Sequence, residues 1–135
     1  MAEIEEALTT YLLAQSGLIA LIARRFFYEE VPQDTELPAV CVIKVSDVKD
    51  HLLTGQLNLE SPMFQFTVYA TTKLGARGVA NQIKAALKDY VGTMSGIAVQ
   101  HIRLVNEFSG LTKTADGTVR EFTEDLEFSI NFVHE

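Results

Sequence analysis

The chain has 135 residues, 47% of them apolar, a single cysteine, and a net charge of −7 from 11 basic and 18 acidic residues. This length and apolar content exclude a disordered chain and favour one domain over 1–135, able to bury roughly two-thirds of the surface it would expose unfolded. The acidic balance argues against a duplex-DNA-binding module, which needs a basic face, and the lone Cys41 excludes an internal disulfide and a cysteine-based zinc cluster.

The first ten residues, MAEIEEALTT, are acidic where a secretory leader would be basic. The early apolar run YLLAQSGLIALIA is broken by Gln15, Ser16 and Gly17 and is too short to cross a bilayer. A cytoplasmic origin and no membrane contact are therefore expected. Residues 3–15 read as a helix, because Ile4, Ala7, Leu8, Tyr11 and Leu12 form one stripe at helical spacing. Glu3, Glu5 and Glu6 in its first turn suit the helix dipole. Ser16-Gly17 breaks it. LIALIARR predicts a second short helix, with Leu18, Leu21 and Ile22 on one side and Arg24 and Arg25 at its end.

FFYE reads as a short strand, followed by a loop holding Pro32 and Pro38. Pro38 favours an extended Leu37 and cannot donate to a ladder, so the next strand starts at Ala39. Its sequence, AVCVIKVSDV, is apolar on both faces. A projecting connection is expected over 49–56, then the strand NLESPMFQFTVYA, in which Phe64, Phe66, Val68 and Ala70 alternate with polar neighbours. Thr71 or Thr72 caps a long helix whose buried stripe is Ala76, Val79, Ala80, Ile83, Leu87, Tyr90 and Val91, ended by Gly92. IAVQHIRLVNEF is a strand, with Ile102, Leu104 and Phe108 on the core side and Ile97, Val99 and Val105 on the other. A polar loop, SGLTKTADGT, leads to the last strand. There Phe122, Leu126, Phe128, Ile130 and Phe132 alternate with Thr123, Asp125, Glu127, Ser129 and Asn131.

The order ααββαββ predicts an α+β fold: a mostly antiparallel sheet, one long helix packed on it and two N-terminal helices. The double-sided strands need a cover for their second face. The N-terminal helices are the first candidate and a partner subunit is the second.

No catalytic, cofactor or metal set emerges. His51, His101 and His134 lie outside ligand spacing of one another. Ser46-Asp47 with His51 lacks the elbow and oxyanion hole that nucleophilic catalysis needs. GARGVA lacks the ending of a phosphate loop. The carboxylates Glu121, Glu124, Asp125 and Glu127 read as a solvated strand face rather than a flanking acid–base pair. In a ring, such a face would line a channel and repel DNA. An enzyme is not expected.

The order of segments resembles the tail completion family of long-tailed phages and prophages, the tail terminator or head-to-tail joining proteins. The Leu-rich segment Leu18 to Ile22, then Arg25, Tyr28, Pro32-Gln33, Leu37-Pro38 and the strand Val40 to Val45 carry the likeness, with LTGQ, MFQFTVYA, GVANQIKAAL and LEFSINFVHE after them. The family often has a glycine before the Arg and a proline after the Tyr; here Ala23 or Arg24 and Glu29 stand there. The resemblance implies a structural virion protein that caps the head-proximal end of the tail tube and joins it to the head connector or stopper, as a ring that is commonly six-fold. It further implies self, tube protein and connector as partners and DNA passing through without specific binding. It places the protein in the virion tail or neck, and in the bacterial host cytoplasm during assembly. It brings no catalytic residues and no cofactor.

Contacts between subunits, or with neck and tail, are expected from three groups. These are Glu29, Glu30, Asp34 and Glu36 in the proline loop; Lys49, Asp50, His51, Leu52 and Leu53 in the 49–56 connection; and Lys113 and Asp116 in the 109–117 loop. The alternative is a small cytoplasmic α+β ligand-binding or regulatory module without catalysis, which would show a closed pocket with a few convergent polar groups.

Overall fold

The structure is a computed structural model. It describes residues 4–28, 37–52, 55–113 and 119–133, and of 46–52, 55–61, 112–113, 119–120 and 133 it describes the backbone alone. The chain forms α1 (Ile4–Leu13), α2 (Ser16–Ile22), β1 (Phe26–Tyr28), β2 (Ala39–Leu52), β3 (Gly55–Ala70), α3 (Lys73–Leu87), β4 (Gly92–Met94), β5 (Ile97–Lys113) and β6 (Val119–Val133). The strands make one sheet in the order β1-β2-β3-β6-β5-β4. Every pair is antiparallel except β1 with β2. This is the expected α+β architecture, enlarged by β4, which the sequence reading did not contain.

The core lies between the helices and one face of the sheet. Ile4, Ala7, Leu8 and Leu12 of α1, Leu18 and Ile22 of α2 and the α3 stripe Ala76, Val79, Ala80, Ile83 and Leu87 are all buried there. From the sheet they meet Val40, Val42, Phe64, Phe66, Val68, Leu126, Phe128 and Ile130 in one continuous cluster. Phe66 joins the layers: its ring lies edge-on to Phe128 at 5.7 Å and tilted towards Phe26 at 6.4 Å.

The three described helices therefore share one side of the sheet. This corrects the expectation that the N-terminal pair covers the second face. The physical reason is the amphipathic stripe of α1, which is satisfied by packing beside α3. Tyr11 donates from its hydroxyl to the Ala86 carbonyl at 3.0 Å, and its ring meets Tyr90 edge-on at 5.0 Å.

Several boundaries also differ. Helix α2 starts at Ser16 and stops at Ile22, because Ala23 and Arg24 turn into left-handed backbone (φ 49 and 68). Leu21 is exposed rather than part of the stripe. Helix α3 is capped by Thr72, whose Oγ1 accepts from Gly75 N–H at 3.0 Å, as expected. It ends at Leu87, short of Val91, which is exposed. Gly92 begins β4 instead of closing the helix.

The two expected loops are largely ladder. Strand β2 continues to Leu52, paired with Gly55, where a projecting connection over 49–56 was expected. Strand β5 runs on to Lys113, paired with Val119, where SGLTKTADGT was expected as loop. Both hairpins extend the sheet with paired backbone, which satisfies the polar groups that a long loop would leave to solvent.

Two irregularities in β5, between Val99 and His101 and between Leu104 and Asn106, each insert one residue against β6. Each insertion swaps which side chains face the core. Val99 and Ile102 are thus both buried on the helix side, although they are odd and even. Phe108 pairs with Asp125 and stands on the opposite side, contrary to the uninterrupted alternation read from the sequence.

Candidate functional site

The passage into β2 is fixed by the backbone of its neighbours. Arg25 donates from Nε to the Pro38 carbonyl at 2.9 Å, and Val40 N–H donates to the Arg25 carbonyl at 3.0 Å. The Leu37–Pro38 bond is cis. Arg25 and Pro38, two of the positions that carry the family likeness, thus meet directly. The acidic residues between them, Glu29, Glu30, Asp34 and Glu36, lie outside the described residues, as do Leu53 and Asp116.

The other expected contact residues fall into two groups that the fold separates. Lys49, Asp50, His51 and Leu52 form the end of β2, where Lys49 pairs with Glu60 and His51 with Gln56 across an irregularity at Asp50. Lys113 ends β5. Both hairpins close at the C-terminal end of their first strand, and β2 and β5 run in opposite directions through β3 and β6. The two hairpins therefore leave the sheet at opposite ends.

The larger feature is the sheet face turned away from the helices. Its centre is polar. Asp125 Oδ1 accepts from Thr67 Oγ1 at 2.6 Å and from Gln65 Nε2 at 3.0 Å, and Glu127 Oε1 accepts from Asn106 Nδ2 at 3.2 Å. Tyr69 lies on the same face. Burial, first, and then the nearby Cys41, Asp125 and Glu121 push its phenol above the ordinary tyrosine value. The sequence reading had this strand face as solvated; the structure half-buries Asp125 and Glu127 within cross-strand hydrogen bonds.

The flanks of the sheet are apolar. Ile43 on β2 and Phe108 on β5, which share the helix-free face by register with Gln65 and Asp125, are 36% and 46% exposed, and Val45 and Val105 at irregularities of the same two strands are exposed as well. Sequence reading missed Ile43 and Phe108 as a pair, because their shared face depends on strand order and on the β5 irregularities.

On the helix side, an open cleft of ≈ 300 Å³ lies between α3 and the strands. Its polar groups partner one another: Lys84 Nζ meets Glu107 Oε2 at 3.0 Å, and Ser109 donates to the buried Glu124 at 2.7 Å. This is a structural pairing rather than a set of converging ligand groups. His101 Nε2 lies 3.2 Å from Asp89 Oδ1 at the far end of β5. Among the described residues no three His, Cys, Asp or Glu side chains gather as a metal set would require.

The family model described as tail completion protein gp17 matches residues 6–125. No curated protein matches the chain. A chain from the virion of a native gene transfer agent particle is similar in fold, with a TM-score of 0.72 at 18% identity, covering 96% of this chain and 94% of that one. A second solved chain, 15% identical, covers 97% of this chain and 98% of its own length at a TM-score of 0.49.

Proposed function

This chain belongs to the tail completion protein gp17 family of structural phage tail proteins, and on that ground we propose that it closes the head-proximal end of a tail tube and joins it to the head connector or stopper. Its single 1–135 unit would act as a ring of identical copies, a hexamer by the family resemblance, located in the tail or neck after assembly in the host cytoplasm. One observation carries this reading. Among the described residues, the sheet packs its helices on one side and leaves the other side open, with a carboxylate-rich polar centre and exposed Ile43 and Phe108 towards its two flanks.

That division suits a ring. Copies join through their flanks, the helices face outward, and the open faces turn towards a channel where Glu121, Asp125 and Glu127 repel the DNA phosphates. DNA then passes without specific binding. The hairpin bearing Lys49, Asp50, His51, Leu52 and Leu53 and the one bearing Lys113 and Asp116 supply contacts at opposite rims. Glu29, Glu30, Asp34 and Glu36 serve at a subunit contact or a rim. Nothing in this role calls for catalysis or a cofactor.

The test is a tube-length assay. Tail-tube protein is polymerised with and without the purified chain and imaged by electron microscopy. The expected result is shorter tubes with added density at one end. Unchanged tube lengths would sink the reading.

A further inference from the structure

Helix α3 differs in charge from the rest of the chain. Residues 73–88 hold four of the 11 basic residues and none of the 18 acidic ones, so this stretch carries +4 and the remainder −11. Lys73, Arg77, Lys84 and Lys88 follow one another at intervals of four, seven and four residues, which sets them in one stripe along the helix. The stripe borders β5: Lys73 lines a hollow with Leu111, and Arg77 and Lys84 line the cleft with Glu107 and Ser109. Lys84 is met by Glu107. Lys73, Arg77 and Lys88 are exposed, and among the described residues no side chain pairs with theirs. Lys73 also stands in the first turn of α3, where a cation opposes the helix dipole, so it does not serve the helix itself. Beside it Leu74 is 80% exposed, a bare apolar group inside a charged patch.

The complement lies beside β1, at the other end of the strand order. There an open cleft of ≈ 330 Å³ is lined by Glu5, Glu6, Thr9 and Thr10 of α1 and by Tyr28. Among the described residues no side chain pairs with the carboxylate of Glu5 or of Glu6. We propose that the start of α3 in one copy docks on this cleft of the next, with Lys73 and Arg77 meeting Glu5 and Glu6 and the contact covering Leu74. The proposal rests on the ring reading and specifies its contact. Lys73 and Arg77 are one helical turn apart, about 5–6 Å, a spacing that suits two adjacent carboxylates. The Thr10 hydroxyl offers the guanidinium a further acceptor. The occupant is a second copy of this chain because it presents unpaired acid where the stripe presents unpaired base. Nucleic acid would instead meet the −11 carried by the rest of the chain. Since the stripe borders β5 and the cleft borders β1, copies set side by side in one orientation bring unlike patches together. Such a contact is heterologous, the kind that closes into rings.

Charge exchange tests this. Lys73→Glu with Arg77→Glu, and Glu5→Lys with Glu6→Lys, are purified as two separate double variants, with folding checked by circular dichroism and thermal melting. Each alone should self-associate about tenfold or more weakly than the natural chain in sedimentation. Mixed together they should associate again, because each then offers the charge the other lacks. Lys88→Glu is the control: it lies about 22 Å further along the helix, beyond a Debye length, and should stay within about twofold of the natural chain. Carbodiimide cross-linking of the natural chain, half of it labelled with heavy nitrogen, gives a readout that needs no variant. Mixed-isotope peptides joining Lys73 to Glu5 or Glu6 are expected by mass spectrometry, in solution or on tube ends. Absence of these peptides in both settings overturns the proposal, as does linkage of Lys73 to tube protein in place of self. No recovery on mixing two folded variants overturns it too, and so does a loss with Lys88→Glu as large as that of the double reversal. Shortened tubes without the Lys73 links would defeat this contact alone. Recovery on mixing with unchanged tube lengths would defeat the capping role and leave the contact standing.

Discussion

Tyr69 and Asp125 show how the helix-free face is held together without a helix over it. Asp125 draws Thr67 and Gln65 into one hydrogen-bonded set, and Tyr69 shares the face with Cys41, Asp125 and Glu121. The neutral phenol is favoured there, by burial and then by these neighbours, so the folded chain holds its proton to higher pH than the unfolded chain. Below about pH 10 both states are protonated and stability is unaffected. As pH rises from there towards the raised folded value, the unfolded chain releases its proton first, so stability falls across that window. Denaturant titrations at pH 9 and pH 11 should show a smaller fall for Tyr69→Phe than for the natural chain. Part of the fall should remain, since Tyr11 is raised as well, by burial and by Tyr90. An identical fall in both proteins would remove Tyr69 from the account.

The turn from α2 into β1 is an element made under strain. Two consecutive residues with a Cβ, Ala23 and Arg24, adopt left-handed backbone, which costs a non-glycine residue roughly 1–2 kcal/mol. They do so because the turn delivers Arg25 to the Pro38 carbonyl and aligns β1 with β2. Glycine, common before the Arg in the family, is absent here. Ala23→Gly should stabilise the chain by up to about 1 kcal/mol, read as a higher denaturation midpoint at unchanged slope. A lowered midpoint would mean that the unfolded-state entropy of glycine outweighs the relieved strain.

The same elements show how far sequence carries. Strand β6 was legible because its period-two pattern runs from Phe122 to Phe132 with Glu124 as its one interruption. The α3 stripe was legible for the same reason at helical spacing, but its end was not, since Tyr90 and Val91 continue the pattern beyond the last helical turn. Strand β5 misled because two inserted residues, unmarked by glycine or proline, shift its parity and carry Phe108 out of the core side. Strand β4 is too short to show a period and depends on the Ser95–Gly96 turn, both residues at positive φ. The placement of α1 and α2 is a matter of packing against α3, which no local pattern encodes. The exposed pair Ile43 and Phe108 was the least legible part, being assembled from strands far apart in the chain.

The assembled molecule, on the reading proposed above, keeps stability and function on different surfaces. The inner faces of the helices and the sheet side beneath them hold the apolar core, so they tolerate little change, whereas the open face can be altered in charge without a cavity being made. Charge reversal at Glu121 and Glu127, Glu→Lys at both, should therefore leave the fold intact by circular dichroism. The natural chain should leave duplex DNA unshifted in a gel, and the reversed one should retard it at low salt and release it as salt rises. Retardation by the natural chain would contradict a repelling channel.

The hairpins at opposite ends of the sheet give this arrangement a direction. Copies joined side by side in one orientation put every β2–β3 tip on one rim and every β5–β6 tip on the other. The two rims then differ in sequence everywhere, with no axis exchanging them. A growing tube repeats because each layer offers the next the surface it has just consumed. On the proposed reading, a ring of this chain takes the tube at one rim and presents at the other a surface the tube protein does not match. On that reading, strand polarity gives the two partners different hairpins to meet, one set at the tube and the other at the connector.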